Sequence, residues 1–497
     1  MNDRNQQRRI LGCRILFFAI IAVSCVVFYI RIVPLVIYNM DDWNYLIPNR
    51  VPWPTWGSWN PTRVLPELLM PWTTQFSVWL IYPLTGHFIR SIETGMALVV
   101  SAMVTFYAFC FFRMTVKKAG EWRGMVLTVL FLVLHLLVFK TSTEGNDYLL
   151  AGYYDTTTFF FYLIPALLNG SLVMYFISSD YFRTRKSKPI GIRIIVLIAV
   201  YLSLFSNLYQ SVILAAYAGI ELLTQLLKKG QPIRERLTKC GYQFLILGLW
   251  IFALVFEYFG GRSQQIGVNS FSALGEQLGA SGETLLNRLK DINILFVILL
   301  VLSLICFLLF LFDKKTDKET RGEKIREDFM LLAGTVIVLV YEWLLCGVSF
   351  SWYAKRGDVL ICVFFFLFLF MLNQFRRLSA ETKTAKAVLI LVTAVCVLNL
   401  FIPSGTWLIR TNYRINADVA RNITEDIVTV CKDADQSGKN DVGIPVPVFA
   451  GDNWPLSLGA AGNVPRTLYK YNQISRNIDV SFVPDPAKNE QYGISLP

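Results

Sequence analysis

Charge is scarce in this chain of 497 residues: Asp, Glu, Lys and Arg make up 16% of it, against roughly a quarter in soluble domains. Hydrophobic residues make up 54%, and the mean hydropathy is +0.48. This composition excludes an ordinary soluble enzyme. It predicts a mostly α-helical protein that crosses the membrane several times.

Histidine and paired cysteines are also scarce. The two histidines are His87 and His135, the nine cysteines lie mostly in apolar runs, and no Cys-x-x-Cys pair occurs. This pattern argues against haem and zinc sites and against a framework of disulfides. His135 lies within an apolar run, where we expect a packed and hydrogen-bonded core residue.

Long apolar runs predict about eleven membrane crossings. They lie at about 15–38, 91–113, 124–140, 158–178, 191–206, 209–227, 241–259, 291–312, 329–346, 357–373 and 387–403. No small-residue cleavage site is obvious near the first run, so we expect a retained helix and not a removed signal peptide.

The distribution of basic residues predicts the orientation of these crossings. Alternate short loops hold 28 of the 47 Lys and Arg residues, the opposite loops hold eight, and the C-terminal segment holds nine beside ten acids. The positive-inside rule then puts the N-terminus in the cytoplasm and the C-terminus outside a cell membrane. The net charge of +12 follows from this topology, so no nucleic-acid partner is predicted.

The predicted outer face collects the unusual residues. The first outer loop, 39–90, is long and rich in Trp and Pro, and its stretch 74–88 is apolar but too short to cross, so we expect an interfacial or re-entrant helix there. Residues 1–403 form the predicted membrane module. The remainder, 404–497, has a soluble composition, and one amphipathic helix and two strands predict a small extracytoplasmic α/β domain.

The acid pair Asp41–Asp42 follows the first apolar run, in the sequence NMDDWNYL. Two adjacent carboxylates in a poorly solvated setting do not both ionise easily, so one is expected to have a raised pKa and to act as a base. The structural alternative is a solvated helix end, where acids are common. The position between a membrane span and the Trp-rich loop favours a catalytic role for Asp41 or Asp42.

Other outer segments add charged and aromatic residues to the same face. The candidates for binding a phosphate are Arg63, Lys355, Arg356 and Arg262. The candidates for contacting a substrate are Glu144, Asp147, Asp155, Glu257 and Tyr154. Structural alternatives exist for several of them, because Lys355 and Arg356 are also placed to snorkel to the interface and Glu257 to form a local ion pair.

A first span, an acid pair and a long first outer loop together resemble the GT-C fold of membrane glycosyltransferases. MDDWNYL is similar to the acid motif of that family, and TRVLPELL resembles its Gly-Arg-aromatic segment, with Thr62 in place of Gly. EYFGGRS and YAKRGDV look like its later outer-face motifs. The likeness covers roughly 1–403 and is greatest to bacterial enzymes akin to the serotype-converting glucosyltransferases, which modify O-antigens, teichoic acids or wall polysaccharides.

The resemblance implies an inverting transfer of a sugar from a polyprenyl-phosphate donor to a cell-surface glycan. The first acid of the motif is usually the base in this family, which favours Asp41, and Arg356 with Lys355 or Arg63 would hold the leaving phosphate. A monophosphate donor requires no metal in principle. Some relatives use a divalent cation, so the resemblance leaves metal dependence open.

Three other functions compete with the transferase. A transporter or flippase would place ionisable residues near the middle of the bilayer, where His135 is the main example and Glu342 lies toward an outer end. A polysaccharide polymerase or ligase usually has its large outer loop late in the chain, whereas this chain has it first. A purely structural partner of an assembly would leave the acid pair unexplained.

Overall fold

The structure is a computed structural model that describes residues 2–55, 62–139, 148–151, 155–228, 230, 232–259, 271–312, 317–381, 383–401, 417–448 and 454–495. Most of these residues are helical, as the composition predicts. The helices from Asn2 to Tyr258 are α1 (Asn2–Val27), α2 (Met40–Tyr45), α3 (Val64–Phe76), α4 (Tyr82–Thr85), α5 (Phe88–Ala119), α6 (Glu121–Leu137), α7 (Thr156–Thr158), α8 (Ile164–Ser179), α9 (Tyr181–Thr184), α10 (Ile190–Leu204), α11 (Leu208–Leu226), α12 (Ile233–Lys239) and α13 (Gly241–Tyr258).

The membrane part continues through α14 (Phe271–Leu289), α15 (Ile294–Leu311), α16 (Lys318–Val348), α17 (Gly357–Glu381) and α18 (Lys383–Asn399). Segments of π-helix follow α1 (Phe28–Ile32), α3 (Ser77–Ile81) and α7 (Phe159–Leu163), and 3-10 turns lie at Arg185–Ser187 and Ser351–Lys355. Such π-helical segments are rare and frequently occur at functional sites.

Seven helical segments of the described chain are long and apolar enough to cross a bilayer: Asn5–Ile32, Phe88–Ala119, Thr156–Ser179, Gly241–Tyr258, Ile294–Leu311, Glu319–Val348 and Gly357–Ala380. The other four predicted crossings coincide with α6, α10, α11 and α18, which are helical but shorter or less apolar. The total of eleven crossings therefore stays a prediction.

Burial separates central from peripheral spans. In the most apolar stretch of each span, 89% of the residues are buried for Gly357–Ala380 and 83% for Thr156–Ser179, against 11% for Asn5–Ile32. The central spans are rich in aromatic side chains that pack against each other; Gly170, for example, has no room for a side chain between Tyr107 and Phe365. The apolar side chains of the peripheral spans face outward, as expected where lipid replaces water.

His135 is fully buried in this aromatic core. Its Nε2 lies 3.2 Å from the Tyr107 hydroxyl and its Nδ1 lies 2.7 Å from the Phe131 carbonyl oxygen. The expectation of a packed and hydrogen-bonded core histidine is confirmed. Both ring nitrogens are engaged within the bundle.

The segment 39–90, which the sequence predicts to be the first outer loop, contains a helical segment from α3 to α4 that ends at Gly86, whose φ of 72° suits glycine. Trp72, Trp79 and Leu84 on this segment are largely exposed. Exposed apolar and aromatic side chains at the end of a bundle are typical of a helix in the lipid headgroup region. The expected helix is present, although it begins at Val64 and not near residue 74, and its interfacial or re-entrant position stays a prediction.

The C-terminal segment, defined here as residues 417–448 and 454–495, contains α19 (Ala417–Gln436), α20 (Val464–Lys470) and α21 (Pro486–Tyr492). Its strands β1 (Asp441–Val446) and β2 (Asp479–Pro484) pair in parallel, with Asp441 opposite Asp479. The amphipathic helix and both strands lie where the sequence predicts them, and Ile423 and Ile427 are buried as their spacing requires.

The C-terminal segment packs against the first outer loop and the start of α5. Glu425 accepts hydrogen bonds from the backbone N–H groups of Ile89 (3.0 Å) and Arg90 (3.3 Å). These lie at the N-terminus of α5, where the positive end of the helix dipole favours a carboxylate. Arg421 forms an ion pair with the buried Glu93. These contacts hold the segment beside the loop that carries the acid pair.

Candidate active site

The acid pair is fixed by a capping box at the start of α2. The Asn39 side chain accepts from the backbone N–H of Asp41 (3.3 Å), and the Asp42 carboxylate accepts from the backbone N–H of Asn39 (3.1 Å). This arrangement satisfies donors that a helix start leaves open. The mostly buried segment Val33–Tyr38 therefore leads into a short helix that carries two carboxylates on adjacent positions.

Asp42 is completely buried and its carboxylate accepts four hydrogen bonds. The donors are the backbone N–H groups of Tyr38 (3.2 Å), Asn39 (3.1 Å) and Thr157 (2.8 Å) and the hydroxyl of Thr157 (2.8 Å). Burial, followed by the negative charge of Asp155, raises the pKa of Asp42, and these hydrogen bonds oppose that rise. Asp42 thus ties the first outer loop to the start of a central span.

Asp41 has a different environment, because its side chain is exposed. No described side chain donates a hydrogen bond to its carboxylate, although surrounding protein atoms exclude part of the solvent. This partial burial raises the pKa of Asp41, and the positive charge of Arg63 opposes the rise. An accessible carboxylate with a raised pKa suits a general base, and Asp42 holds the helix that presents it.

The segment Asp155–Leu163, at the start of a central span, connects the acid pair to both arginines. Asp155 accepts from the Asn39 side chain (3.3 Å) and caps α7 by accepting from the Thr158 N–H (2.8 Å). Four residues after Thr157, the Phe161 ring lies 5.3 Å from the Arg63 guanidinium. The next ring, Tyr162, lies 4.5 Å from the Arg356 guanidinium.

Arg356 is buried and paired. Its Nε and Nη2 donate to the two carboxylate oxygens of Asp358 at 3.0 and 2.5 Å, a bidentate arrangement that fixes the plane of the guanidinium. Besides Tyr162, the rings of Trp352 and Tyr353 lie 5.7 and 4.9 Å from it. Because a buried cation is costly without such partners, Arg356 is held in one orientation.

Arg63 directly precedes α3 and is partly buried. Among the described residues it forms no ion pair, whereas a side-chain hydrogen bond joins it to Tyr45. Its neighbour Thr62 donates to Glu257 at 2.9 Å, and the Val64 N–H donates to the Phe205 carbonyl at 2.8 Å. These contacts anchor the chain on both sides of Arg63. Its guanidinium has no direct ion pair among the described residues and interacts electrostatically with Asp41, Glu67 and Glu257.

The structure brings together most of the described residues that the sequence indicates. Those that meet around the acid pair are Asp41, Asp42, Arg63, Asp155, Glu257 and Arg356. Lys355 is next to them in the chain and is exposed. The predicted residues Arg262, Glu144, Asp147 and Tyr154 lie outside the described residues.

Sequence reasoning missed the residues that hold the site together. Thr157 lies in a run of three threonines at a span start, which gave no reason to select it, and the pairing of Arg356 with Asp358 was not predicted. The spacing Arg-x-Asp just before an apolar run was a usable signal, because a cation at that depth needs a partner. Glu257 accepts a hydrogen bond from Thr62, and the local ion pair considered for it involves Arg262, which lies outside the described residues.

No family model matches this sequence, and no curated protein matches it. The chemistry of the site must therefore be argued from its residues. Across the described part of the chain, no group of three or more His, Cys, Asp and Glu side chains is arranged to hold a metal ion. The arrangement offers one accessible carboxylate, Asp41, and a second that is fully hydrogen-bonded, Asp42. It also offers two arginines, Arg63 and Arg356, whose guanidinium groups contact the adjacent rings of Phe161 and Tyr162.

Proposed function

We propose that this protein is a membrane glycosyltransferase that moves a sugar from a polyprenyl-phosphate donor to a hydroxyl of a cell-surface glycan. The observation that carries the proposal is the unequal environment of the acid pair: Asp42 is buried with four hydrogen bonds, whereas Asp41 is exposed. A carboxylate held at the surface by a rigid neighbour suits proton abstraction from a bulky, water-borne acceptor.

In the proposed reaction, the acceptor hydroxyl oxygen attacks the anomeric carbon of the donor sugar while Asp41 takes the hydroxyl proton. The bond between the anomeric carbon and the phosphate oxygen breaks on the opposite face, so the configuration inverts. The bonding electrons leave with the polyprenyl phosphate. General-base catalysis of this kind typically contributes about 10²–10⁴-fold to the rate.

Positive charge near the leaving phosphate would stabilise the electrons that it gains. Arg63 is the better-suited cation, because no described carboxylate pairs with it. Arg356 is held in place by Asp358 and would act as a second, weaker source of positive charge, with the exposed Lys355 next to it in the chain. Arginines in this arrangement suffice for a monophosphate leaving group, and a divalent cation is left as an experimental variable.

The proposal also includes the orientation of the chain. The basic loops of the predicted cytoplasmic side and the eleven predicted crossings would put the acid pair, Arg63 and Arg356 on the outer face of a cell membrane. There a lipid-linked sugar in the outer leaflet would meet a glycan in the aqueous phase. Residues 404–497 would form the small extracytoplasmic domain beside this site.

A second candidate function, transport of a lipid-linked or small cargo, has one observation in its favour. Glu342 is fully buried in the span Glu319–Val348, where its carboxyl meets the thiol of Cys362, a weak hydrogen-bond donor. Buried ionisable residues in spans often mark ion or substrate pathways. We prefer the transferase, because the other charges of the site gather at the helix ends.

Complementation of cells that lack the protein tests the proposed function. Wild type, Asp41→Asn and the matched control Asp433→Asn, which changes an exposed carboxylate of α19, are expressed and checked for membrane insertion. Mass spectrometry then compares the sugar composition of the cell-surface polysaccharide. We expect one sugar substituent to disappear in the deletion and in Asp41→Asn and to return with wild type and with Asp433→Asn. An unchanged polysaccharide in Asp41→Asn cells would refute the role of Asp41 as the base.

A further inference from the structure

Helix α20 of the C-terminal segment runs parallel to α2, which carries the acid pair. Three side chains of the C-terminal segment donate hydrogen bonds to backbone carbonyl oxygens of the α2 region: Asn463 to Met40 (3.4 Å), Thr467 to Trp43 (3.2 Å) and Tyr471 to Leu46 (2.6 Å). The donors recur every four residues, so one face of α20 lies along the whole length of α2. The other face of α20 is exposed.

That exposed face lines a groove of about 940 Å³. Its lining includes Ile47, just beyond α2, together with Arg466, Tyr469, Lys470, Asn472 and Gln473. Tyr469 is 51% exposed, so its ring is accessible for stacking on a sugar. The amides of the lining can both donate to and accept from hydroxyl groups.

The positive charge of the groove is a local feature. Residues 404–497 contain nine Lys and Arg beside ten Asp and Glu, so composition alone predicts no basic surface there. Arg466 and Lys470 are exposed, and neither forms an ion pair within the described chain. The one acid of the lining, Asp435, is occupied by the N–H (2.7 Å) and hydroxyl (2.9 Å) of Ser475 and by Arg476.

We propose that this groove binds the acceptor, and that the acceptor is an anionic polymer whose repeating units carry phosphate or carboxylate groups. The inference rests on the proposed transferase function, because it assigns the groove to the second substrate of that reaction. Arg466 and Lys470 pair with the anionic groups, and Tyr469 stacks on a sugar or polyol unit.

The position of the groove fits an extended polymer. Asp41 lies near the start of α2, the helix rises roughly 6 Å from there to its last residue Tyr45 at 1.5 Å per residue, and Ile47 follows two residues later. One or two sugar units span such a distance. A polymer seated in the groove would therefore present a unit near Asp41 while its neighbouring units contact Arg466 and Lys470.

Binding of defined oligomers to the full-length protein in lipid nanodiscs tests the proposal without any donor. The probes are fluorescent oligomers of poly(glycerol phosphate), polygalacturonate and neutral dextran of matched length. The variant is Arg466→Gln/Lys470→Gln, and the matched control is Lys439→Gln/Lys488→Gln, which removes two positive charges elsewhere on the C-terminal segment. We expect at least one anionic oligomer to bind wild type and the control. Its binding to the groove variant should be at least about tenfold weaker, which corresponds to about 1.4 kcal/mol of binding free energy lost for the two charges together.

The outcomes separate the groove from the catalytic proposal. Equal binding of the anionic oligomer to the groove variant, dextran binding as tight as that of the anionic oligomers, or no binding of either anionic oligomer would each overturn the groove assignment, whatever Asp41→Asn does to the cell-surface polysaccharide. Conversely, charge-dependent binding in the groove together with an unchanged polysaccharide in Asp41→Asn cells would reject the transferase mechanism and leave the anionic-polymer site in place.

Discussion

The backbone N–H and the hydroxyl of Thr157 both donate to one carboxylate oxygen of Asp42, at 2.8 Å each. The two residues are 115 positions apart in the chain. This contact joins the first outer loop to the start of a central span and places Asp42 in the framework of the site. It therefore predicts different consequences for the two members of the acid pair.

Asp42→Asn should destabilise the protein, and Asp41→Asn should not. In the Asp42→Asn variant one carboxylate oxygen becomes an amide N–H₂ group, which faces backbone N–H donors that need an acceptor. We expect this mismatch to lower the free energy of unfolding by about 1–3 kcal/mol. Thermal unfolding in detergent, followed by tryptophan fluorescence, measures the difference. Thr157→Val removes the hydroxyl that donates to Asp42 and should also lower the melting temperature. Equal melting temperatures for Asp42→Asn and wild type would show that Asp42 does not stabilise the site.

The pH dependence of transfer should depend on Asp155. Burial raises the pKa of Asp155 to about 6, so this carboxyl is ionised above that pH. Its negative charge then favours the protonated form of Asp41, since the two acids repel each other. Asp155→Asn removes the charge and keeps a residue suited to capping α7. The acid limb of the pH profile of kcat/KM should therefore move to lower pH by about 0.5–1 unit.

A profile of the Asp155→Asn variant from pH 4.5 to 8.5 checks this sign. The control is Asp433→Asn, which should leave the limb in place. If the limb of Asp155→Asn moved to higher pH, or did not move, the acid limb would not report the ionisation of Asp41.

Arg63 should contribute more to donor use than an exposed arginine elsewhere in the chain. Arg63→Gln removes a cation that has no direct ion pair among the described residues. We expect kcat/KM for the donor to fall about 10²-fold or more, as for the loss of one charge-stabilising donor. Arg63→Lys should recover part of the rate. Arg90→Gln, at an exposed position on α5, is the matched control and should act like wild type. A loss shared equally by Arg63→Gln and Arg90→Gln would indicate a general effect of surface charge.

The positions of the spans could be predicted from the sequence because each apolar run must satisfy its own backbone hydrogen bonds within the membrane. Each of the eleven predicted crossings coincides with a helix, although the run that became α10 is only the 15 residues Ile190–Leu204. In the same way, the four-residue spacing of Ile423 and Ile427 was sufficient to predict α19. These are local properties of the chain, and local patterns report them well.

The site itself depends on contacts between distant residues, which one sequence does not encode in a readable pattern. The acid pair and Arg356 were recognisable as costly charges near a membrane. Their partners were not, because Asp42 binds Thr157 and Asn39 contacts Asp155, and these pairs are more than 100 residues apart. The parallel packing of α20 along α2 was unpredictable for the same reason.

The ion pair between Glu93 and Arg421 should couple the C-terminal segment to the acid-pair loop. Glu93 also accepts from the Ile37 N–H at 3.0 Å, so it lies between α19 and the residues that lead into α2. Glu93→Gln should lower stability by up to about 3 kcal/mol, because the partly buried Arg421 loses its buried partner and keeps only the more exposed Asp418 at 3.0 Å. In a double-mutant cycle measured by thermal unfolding, adding Arg421→Gln should cost little more. Additive effects would mean that the two side chains act independently.

Glu342→Gln distinguishes the two candidate functions. The buried carboxyl of Glu342 meets only a weak donor, the thiol of Cys362, among the described side chains. An amide of the same shape should therefore leave the melting temperature unchanged or slightly higher. If the protein is a transferase, the sugar composition of the cell-surface polysaccharide should match wild type, because the substitution lies away from Asp41 and Arg63. If Glu342 carries a proton or ion during transport, the same variant should lose function while remaining folded. A normal polysaccharide from Glu342→Gln cells, together with an altered one from Asp41→Asn cells, would assign the chemistry to the acid pair at the helix end.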